Sequence, residues 1–259
     1  MTENNADQPD AMAAEFDTVA QWTLDAVRQL GPDYALPAAC RGSGSPAALR
    51  WLAGQLELSP GERMLDSGAG VGGPAAFAAQ EFGVRPVLAE PMEGACQAAD
   101  ALFGLPVVTA TAEQLPFRSA AFGAGWMLGV LCTLPGKLPA LTELRRVLGP
   151  AGRLGLIVYL RMSDELPGKP DGNEFPAAGE LAGLLASSGF TVRAQQSLDS
   201  FGPAPDSWQR RAQEAEQLIA AVHAASPAWA QASDQQQAMA DLLASGRVAG
   251  RVVYAVAVS

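Results

Sequence analysis

Short apolar runs alternate with stretches of helical spacing along most of this chain. The apolar runs predict one strand that ends at Asp66 and others at residues 84–90, 106–110, 122–128, 152–160, 190–198 and 247–258. Apolar positions three and four residues apart predict helices at residues 11–30, 46–56, 138–148, 177–188 and 203–245, the last broken near Ser226. Because strands and helices alternate, we expect an α/β fold with a doubly wound, mostly parallel sheet.

A cluster of glycines follows the first predicted strand. An acid ends the strand and the glycines come directly after it, in the order Asp66-Ser67-Gly68-Ala69-Gly70-Val71-Gly72-Gly73. Glycine permits a tight bend from strand to helix and lets a ligand approach the bare backbone, so the turn predicts a nucleotide-type cofactor. The spacing of Gly68, Gly70 and Gly73 also fits the dinucleotide fingerprint, and both kinds of cofactor stay open at this point.

Three later segments add to this turn. Glu90 closes the second predicted strand, where a carboxylate can accept hydrogen bonds from both ribose hydroxyls. Ala112-Glu113-Gln114-Leu115-Pro116-Phe117 follows the third strand, and Leu144-Arg145-Arg146-Val147-Leu148-Gly149-Pro150-Ala151-Gly152-Arg153-Leu154 leads into the fifth. In this order the segments resemble the class I S-adenosylmethionine-dependent methyltransferases, most closely the small-molecule branch of the ubiquinone- and menaquinone-biosynthesis type. The resemblance covers residues 45–200 approximately.

The resemblance implies S-adenosylmethionine as the cofactor and assigns residues to each part of it. The methionine part is expected beside the glycine turn and the end of strand four, the ribose at Glu90, and the adenine between Met92 and the segment after strand three. Arg41 is a candidate partner for the cofactor carboxylate. The expected cofactor-binding residues are Asp66, Gly68, Gly70, Gly72, Glu90, Met92, Ala112, Glu113, Gln114, Leu128, Gly129 and Arg41.

The same resemblance predicts a Rossmann-like methyltransferase with seven strands, an antiparallel last strand and a helical cap over the substrate mouth. We divide the chain into a disordered start with an N-terminal lid helix (1–45), a cofactor-binding α/β core (46–202), a helical cap (203–246) and a last core strand (247–259).

Residues of the acceptor side are harder to assign. The family often carries a Leu-x-His segment after strand four, whereas this chain has Leu131-Cys132-Thr133-Leu134, which puts an inherited general base in doubt. Candidate catalytic groups are Thr133, Tyr159 at the end of strand five, and His223, the only histidine; for each, ordinary packing or solvation is the competing interpretation. Further candidates for contact with substrate are Arg161, Asn173, Glu174, Phe175, Trp208 and Trp229.

Composition and charge narrow the range of partners. The chain has 27 acidic and 17 basic side chains, a net charge of −10, and no basic stripe, which argues against nucleic acid as a substrate. No apolar run is long enough to span a bilayer and the start is polar, so we expect a cytoplasmic protein without membrane contact. The three widely spaced cysteines predict reduced thiols, with neither disulfides nor a metal site.

We therefore expect an enzyme that transfers a methyl group from S-adenosylmethionine to an oxygen, nitrogen or carbon atom of a small metabolite, in specialised biosynthesis. One alternative is a cofactor-binding member that does not methylate, such as a cyclase or a regulatory module. The other is an NAD(P)-dependent oxidoreductase, which would need a proton donor such as a Tyr-x-x-x-Lys pair that the sequence lacks.

Overall fold

The computed structural model describes residues 11–40 and 42–258. Within this part of the chain the strands are β1 (Arg63–Ser67), β2 (Arg85–Glu90), β3 (Val107–Thr109), β4 (Ala124–Leu128), β5 (Arg153–Arg161), β6 (Phe190–Ser197) and β7 (Val248–Ala257). The helices are α1 (Ala11–Leu30), α2 (Ala35–Ala39), α3 (Pro46–Gln55), α4 (Gly73–Phe82), α5 (Glu93–Phe103), α6 (Lys137–Leu148), α7 (Ala178–Ser187), α8 (Asp206–His223) and α9 (Pro227–Ala244). The predicted start at residues 1–10 lies outside the described residues, as does Arg41.

All seven strands form one sheet in the order β3-β2-β1-β4-β5-β7-β6. The first five strands are mutually parallel. β7 runs antiparallel to both β5 and β6, with a register shift in β6 between Val192 and Ala194. The predicted doubly wound sheet with an antiparallel last strand is therefore confirmed.

Helices cover both faces of this sheet. Side chains alternate between the faces along each strand, so neighbouring residues of one strand pack against different helices. On one face Met127 of β4 packs into a buried cluster with Leu144 of α6 and Leu185 of α7. On the other face its neighbour Trp126 packs with Leu52 of α3 and Phe77 of α4. A parallel strand that is buried on both sides reads as a continuous apolar run, which is why β4 and β5 were visible in the sequence.

The helices outside the repeated core lie together. Aromatic contacts link α1 to the two cap helices, α8 and α9. The Trp22 ring stacks on His223 of α8 with centroids 4.2 Å apart, and the centroid of Trp229 in α9 lies 6.3 Å from that of Trp22. The Tyr34 hydroxyl, between α1 and α2, donates to Glu214 of α8 at 2.6 Å. None of the described helices has the length and apolar character needed to cross a membrane.

Candidate active site

Asp66 lies at the carboxyl end of β1, the edge of a parallel sheet where ligands bind. Its side chain is only 1% exposed, and its Oδ2 has no hydrogen-bond partner among the described residues. Burial and the negative charge of Glu90 raise the pKa of Asp66 to about 7. The indole N–H of neighbouring Trp126 opposes this rise, but no hydrogen bond of normal geometry joins the two groups, since Trp126 Nε1 is also unpartnered. A buried carboxyl with an unused acceptor atom is suited to a donor from a ligand.

Glu90 lies at the end of β2, the strand next to β1. Its Oε2 accepts the N–H of Gly70 at 2.8 Å, and its Oε1 accepts the N–H of Met92 at 3.1 Å. Burial raises the pKa of this carboxyl, and the two N–H donors partly offset the rise. Glu90 therefore ties the glycine turn to the start of α5, and the ribose contact assigned to it stays a prediction.

The glycines of the turn have different roles. Gly70 has φ +53°, and a Cβ added there would meet nothing within 4 Å, so this backbone faces open space. A Cβ on Gly68 (φ +73°) would lie 2.4 Å from Val130 Cγ2. A Cβ on Gly72 (φ +81°) would point into the core, 3.0 Å from Leu88 Cδ2, and the cofactor contact assigned to the Gly72 backbone stays a prediction. Gly73 is required for packing, since its Cβ would lie 2.4 Å from the backbone of Ala39.

The segment after β3, predicted to lie at the adenine, is held by α6. Ala112 is buried, Glu113 is half-buried and Gln114 is exposed. Arg146 donates to the carbonyl oxygens of Leu115 (3.0 Å) and Phe117 (2.7 Å). These two bonds fix the segment's position relative to the sheet edge.

Glu143 completes this support of the segment from α6. It accepts the Leu115 N–H at 2.9 Å and forms an ion pair with Arg146, which lowers the pKa of Glu143. The sequence motif contained Arg146 and began one residue after Glu143, and their role as a support for this segment was not predicted.

The chain after β4 passes close to the link between α2 and α3. Leu128 is buried in the core, and Gly129 has φ +78° with a Cβ position 3.5 Å from the Gly42 carbonyl oxygen. Cys40 is buried, and burial together with the Asp66 charge raises the pKa of its thiol. The link therefore lies over the edge formed by β1, β4 and β5, although Arg41 itself falls outside the described residues.

The protic side chains on the acceptor side are all bonded to backbone carbonyls. The Tyr159 hydroxyl donates to Gly42 O at 3.3 Å, Thr133 Oγ1 to Val130 O at 2.8 Å, and Cys132 Sγ to Gly129 O at 3.3 Å. Burial raises the pKa of Tyr159 to about 12 and that of Cys132 to about 11. At neutral pH these groups are protonated, so neither serves as a ready general base.

The loop between β5 and α7 is fastened to the same place. The Glu174 N–H donates to Cys132 O at 2.6 Å, and buried Lys137 pairs with the Glu174 carboxylate at 3.6 Å. Phe175 packs beside Cys132 in a small apolar cluster that also includes Leu242 of α9 and Val248 of β7. Arg161, by contrast, pairs with Asp164 and Glu180, and Asn173 donates to Asp171 O.

His223 is engaged elsewhere. It stacks on Trp22 at the junction of α1 and α8, and Trp229 is part of the same ring group. Trp208 packs edge-on against Phe77 of α4. These three candidates therefore have structural partners, and their roles toward a substrate stay predictions.

Two further observations bear on the chemistry. Cys40, Cys96 and Cys132 are buried free thiols, and among the described residues no group of three His, Cys, Asp or Glu side chains could hold a metal ion.

A surface cavity of about 610 Å³ lies between α1, α2, α4, α5 and α8, lined by Leu24, Leu36, Phe103, Arg28 and Arg211 among others. It does not include the acids at the sheet edge.

Known proteins resemble part of this chain. Residues 65–156 match the family model described as "Methyltransferase domain". The chain is 32% identical over 116 residues to the 27-O-demethylrifamycin SV methyltransferase of Amycolatopsis mediterranei. It is 35% identical over 104 residues to an uncharacterized protein of Mycobacterium tuberculosis. The first match covers 42% of this chain and 43% of the relative, and the second 36% of each, so the chain spans about two fifths or less of these relatives.

Solved structures resemble nearly the whole fold. The [4+2]-cyclase SpnF matches with a TM-score of 0.70 and 20% identity, over 93% of this chain and 96% of that one. The cyclopropane synthase MmaA2 from Mycobacterium tuberculosis matches with a TM-score of 0.70 and 16% identity, over 97% and 100%. The fold is thus the Rossmann-like fold of S-adenosylmethionine-dependent methyltransferases, and residues 65–156, which match the methyltransferase domain, lie in its centre.

Proposed function

We propose that this protein is an S-adenosylmethionine-dependent methyltransferase that acts on a small-molecule acceptor. The observation that carries the proposal is the buried Asp66 carboxyl with an unpartnered Oδ2, next to the open backbone of Gly70 and the buried acid Glu90. These three groups fit the ammonium, the amino-acid chain and the ribose of the cofactor respectively. The ubiquinone-type branch is not confirmed by the similar proteins, so the acceptor is left at the level of a small metabolite.

The cofactor supplies an electrophilic methyl group on a sulfonium. Asp66, as a carboxylate, accepts hydrogen bonds from the ligand's ammonium, and Gly70 lets the ligand lie directly on the backbone. Glu90 accepts from the ribose hydroxyls, while Met92 and the segment that contains Glu113 border the adenine. Such a site accelerates an in-line displacement mainly by orienting the acceptor and excluding water.

The acceptor side favours substrates that bring their own nucleophile. Tyr159, Thr133 and Cys132 each donate to a backbone carbonyl, and the surroundings of Phe175 and Leu242 are apolar. A phenolate, an amine or an electron-rich carbon needs no strong base from the protein. We infer that the acceptor is a largely apolar metabolite of this kind.

The same observation supports a second candidate, a cofactor-binding protein that catalyses a reaction other than methylation. A cyclisation needs shape and dipoles but no base, and the bonded hydroxyls on the acceptor side suit that case too. SpnF is a cyclase with this fold, which makes the fold compatible with both activities. An NAD(P)-dependent oxidoreductase is not favoured, because the matched domain is a methyltransferase domain.

Calorimetry with S-adenosylhomocysteine and with NADH tests the cofactor. We expect the first to bind and the second to give no heat; tight NADH binding with no response to S-adenosylhomocysteine would contradict the proposal. Methyl-labelled S-adenosylmethionine incubated with a panel of phenolic, amine and polyketide metabolites then separates the two candidates. A labelled product supports methyl transfer, and an unlabelled, isomerised product supports the second candidate.

A further inference from the structure

Helix α1 is attached to the start of α5 by side-chain hydrogen bonds. Asp17 Oδ1 accepts the N–H groups of Gly94 at 2.5 Å and Ala95 at 3.3 Å. Gln21 Nε2 donates to the Gly94 carbonyl oxygen at 2.7 Å. The residue that precedes α5, Met92, offers no side-chain cap of its own, so the cap of α5 comes from another helix.

This attachment lies next to Glu90. The free N–H groups at the start of α5 are divided between two carboxylates, with Met92 N–H bonded to Glu90, and Gly94 and Ala95 N–H bonded to Asp17. The negative charge of Asp17 also acts on Glu90, since it contributes to the raised pKa of that carboxyl. A movement of α1 would therefore displace the start of α5 four residues after the expected ribose contact, Glu90.

Apolar packing reinforces the same junction. Ala20 and Leu24 of α1 pack on Ala95 and Ala98 of α5. Val71 of the glycine turn and Met92 pack against this cluster. The junction of α1 with α5 thus packs against both the turn and the residue expected to cover the adenine.

Gly94 has the residue type that this contact requires. A Cβ at Gly94 would lie 2.6 Å from Asp17 Oδ1 and 2.9 Å from Asp17 Cγ. The backbone of Gly94 is helical, so an alanine there would suit α5 itself. Its Cβ would, however, clash with the Asp17 carboxylate.

We propose that Asp17 and Gln21 are positioning residues, which hold α1 on the start of α5 and so fix Glu90 and Met92 for the adenosine part of the cofactor. The inference rests on the proposed function. It assigns a cofactor-positioning role to a helix that lies outside the matched domain, residues 65–156.

The test compares four full-length variants with the unmodified protein. Asp17→Ala removes the cap, Gly94→Ala displaces it, and Asp17→Asn keeps a side-chain oxygen that accepts the same bonds. Asp25→Ala is the matched control, because Asp25 lies on the same helix and pairs with exposed Arg28. Affinity and dissociation rate are measured for S-adenosylhomocysteine and for methylthioadenosine, which keeps the adenosine end and lacks the amino-acid end. Melting temperatures of the ligand-free proteins are recorded alongside.

We expect Asp17→Ala and Gly94→Ala to weaken both ligands about fivefold through faster dissociation, the usual scale for loss of a helix cap. Asp17→Asn should restore affinity, and Asp25→Ala should leave it unchanged. Unchanged affinity in Asp17→Ala and Gly94→Ala, or equal loss in Asp25→Ala, would overturn the positioning role. Failure of the unmodified protein to bind either ligand would overturn the proposed function and this inference with it, so the two failures are distinguishable.

Discussion

Replacing Asp66 by asparagine should stabilise the ligand-free protein in a pH-dependent way. Asp66 is 1% exposed and its pKa stands at about 7, against an ordinary value of 3.8, because burial and the charge of Glu90 disfavour the ionised form. A carboxyl whose pKa is raised by folding contributes stability that is complete below its unfolded pKa and is lost as pH rises through its folded pKa. The wild-type protein therefore carries the largest penalty above pH 7, where Asp66 must ionise inside the core.

The size of this penalty follows from the displacement of the pKa. The difference between wild type and Asp66→Asn grows by about 1.4 kcal/mol per pH unit from pH 4 to pH 7 and then levels off. The total is on the order of 4 kcal/mol as an upper limit, since buried groups relax and water can enter. Asparagine keeps the shape of the side chain, so packing around Trp126 and Cys40 should change little.

Urea unfolding at pH 5 and pH 8.5 measures the effect. We expect the midpoint of Asp66→Asn to exceed that of wild type at both pH values, by roughly two to three times as much at pH 8.5 as at pH 5, with equal m-values. Asp164→Asn is the control, because the Asp164 side chain is 96% exposed and its loss should have no comparable pH dependence. A midpoint difference that is the same at both pH values, or a variant less stable than wild type at pH 8.5, would refute the reasoning.

Three further substitutions test the turn and its surroundings. Gly73→Ala should destabilise the fold by about 1–3 kcal/mol in urea unfolding, because its Cβ would lie 2.4 Å from the Ala39 backbone. Gly70→Val should fold at a cost of roughly 1–2 kcal/mol for its φ of +53°, yet lose the thermal shift produced by S-adenosylhomocysteine; a full shift would show that the turn is not the site. Arg146→Met should raise hydrogen exchange at residues 112–117 and weaken S-adenosylhomocysteine binding, because two carbonyl groups lose their donor; unchanged exchange there would contradict the role given to Arg146.

The order of elements was predictable because local pattern determines it. Helix α1 has the predicted bounds, 11–30, and the break near Ser226 separates α8 from α9. The seven strands and the antiparallel β7 were expected from the family resemblance, and the structure confirms them. Strand β3 is shorter than predicted, at three residues, and lies at the edge of the sheet, where it pairs with β2.

Contacts between distant segments were not predictable in the same way. Asp17 and Gly94 are 77 residues apart, and Tyr34 and Glu214 are 180 apart, so no periodicity reports them. The sequence likewise marked Tyr159 and Thr133 as polar residues near a strand end without showing that both donate to backbone carbonyls. A glycine pattern in the sequence gives no direction, and only the backbone shows that a Cβ on Gly72 would face Leu88.

The two halves of the proposed site differ in where they come from. Apart from Arg41, the residues expected to hold the cofactor fall within residues 65–156, the stretch that matches a methyltransferase domain. The acceptor side draws instead on the loop before α7 and on α9, where Phe175 and Leu242 pack on Cys132. Replacing the helical cap, residues 203–246, should therefore change which acceptor molecule is used and leave cofactor binding intact. Helix α1 is the expected exception, because Asp17 joins an outer element directly to the start of α5, beside the acid proposed to hold the ribose.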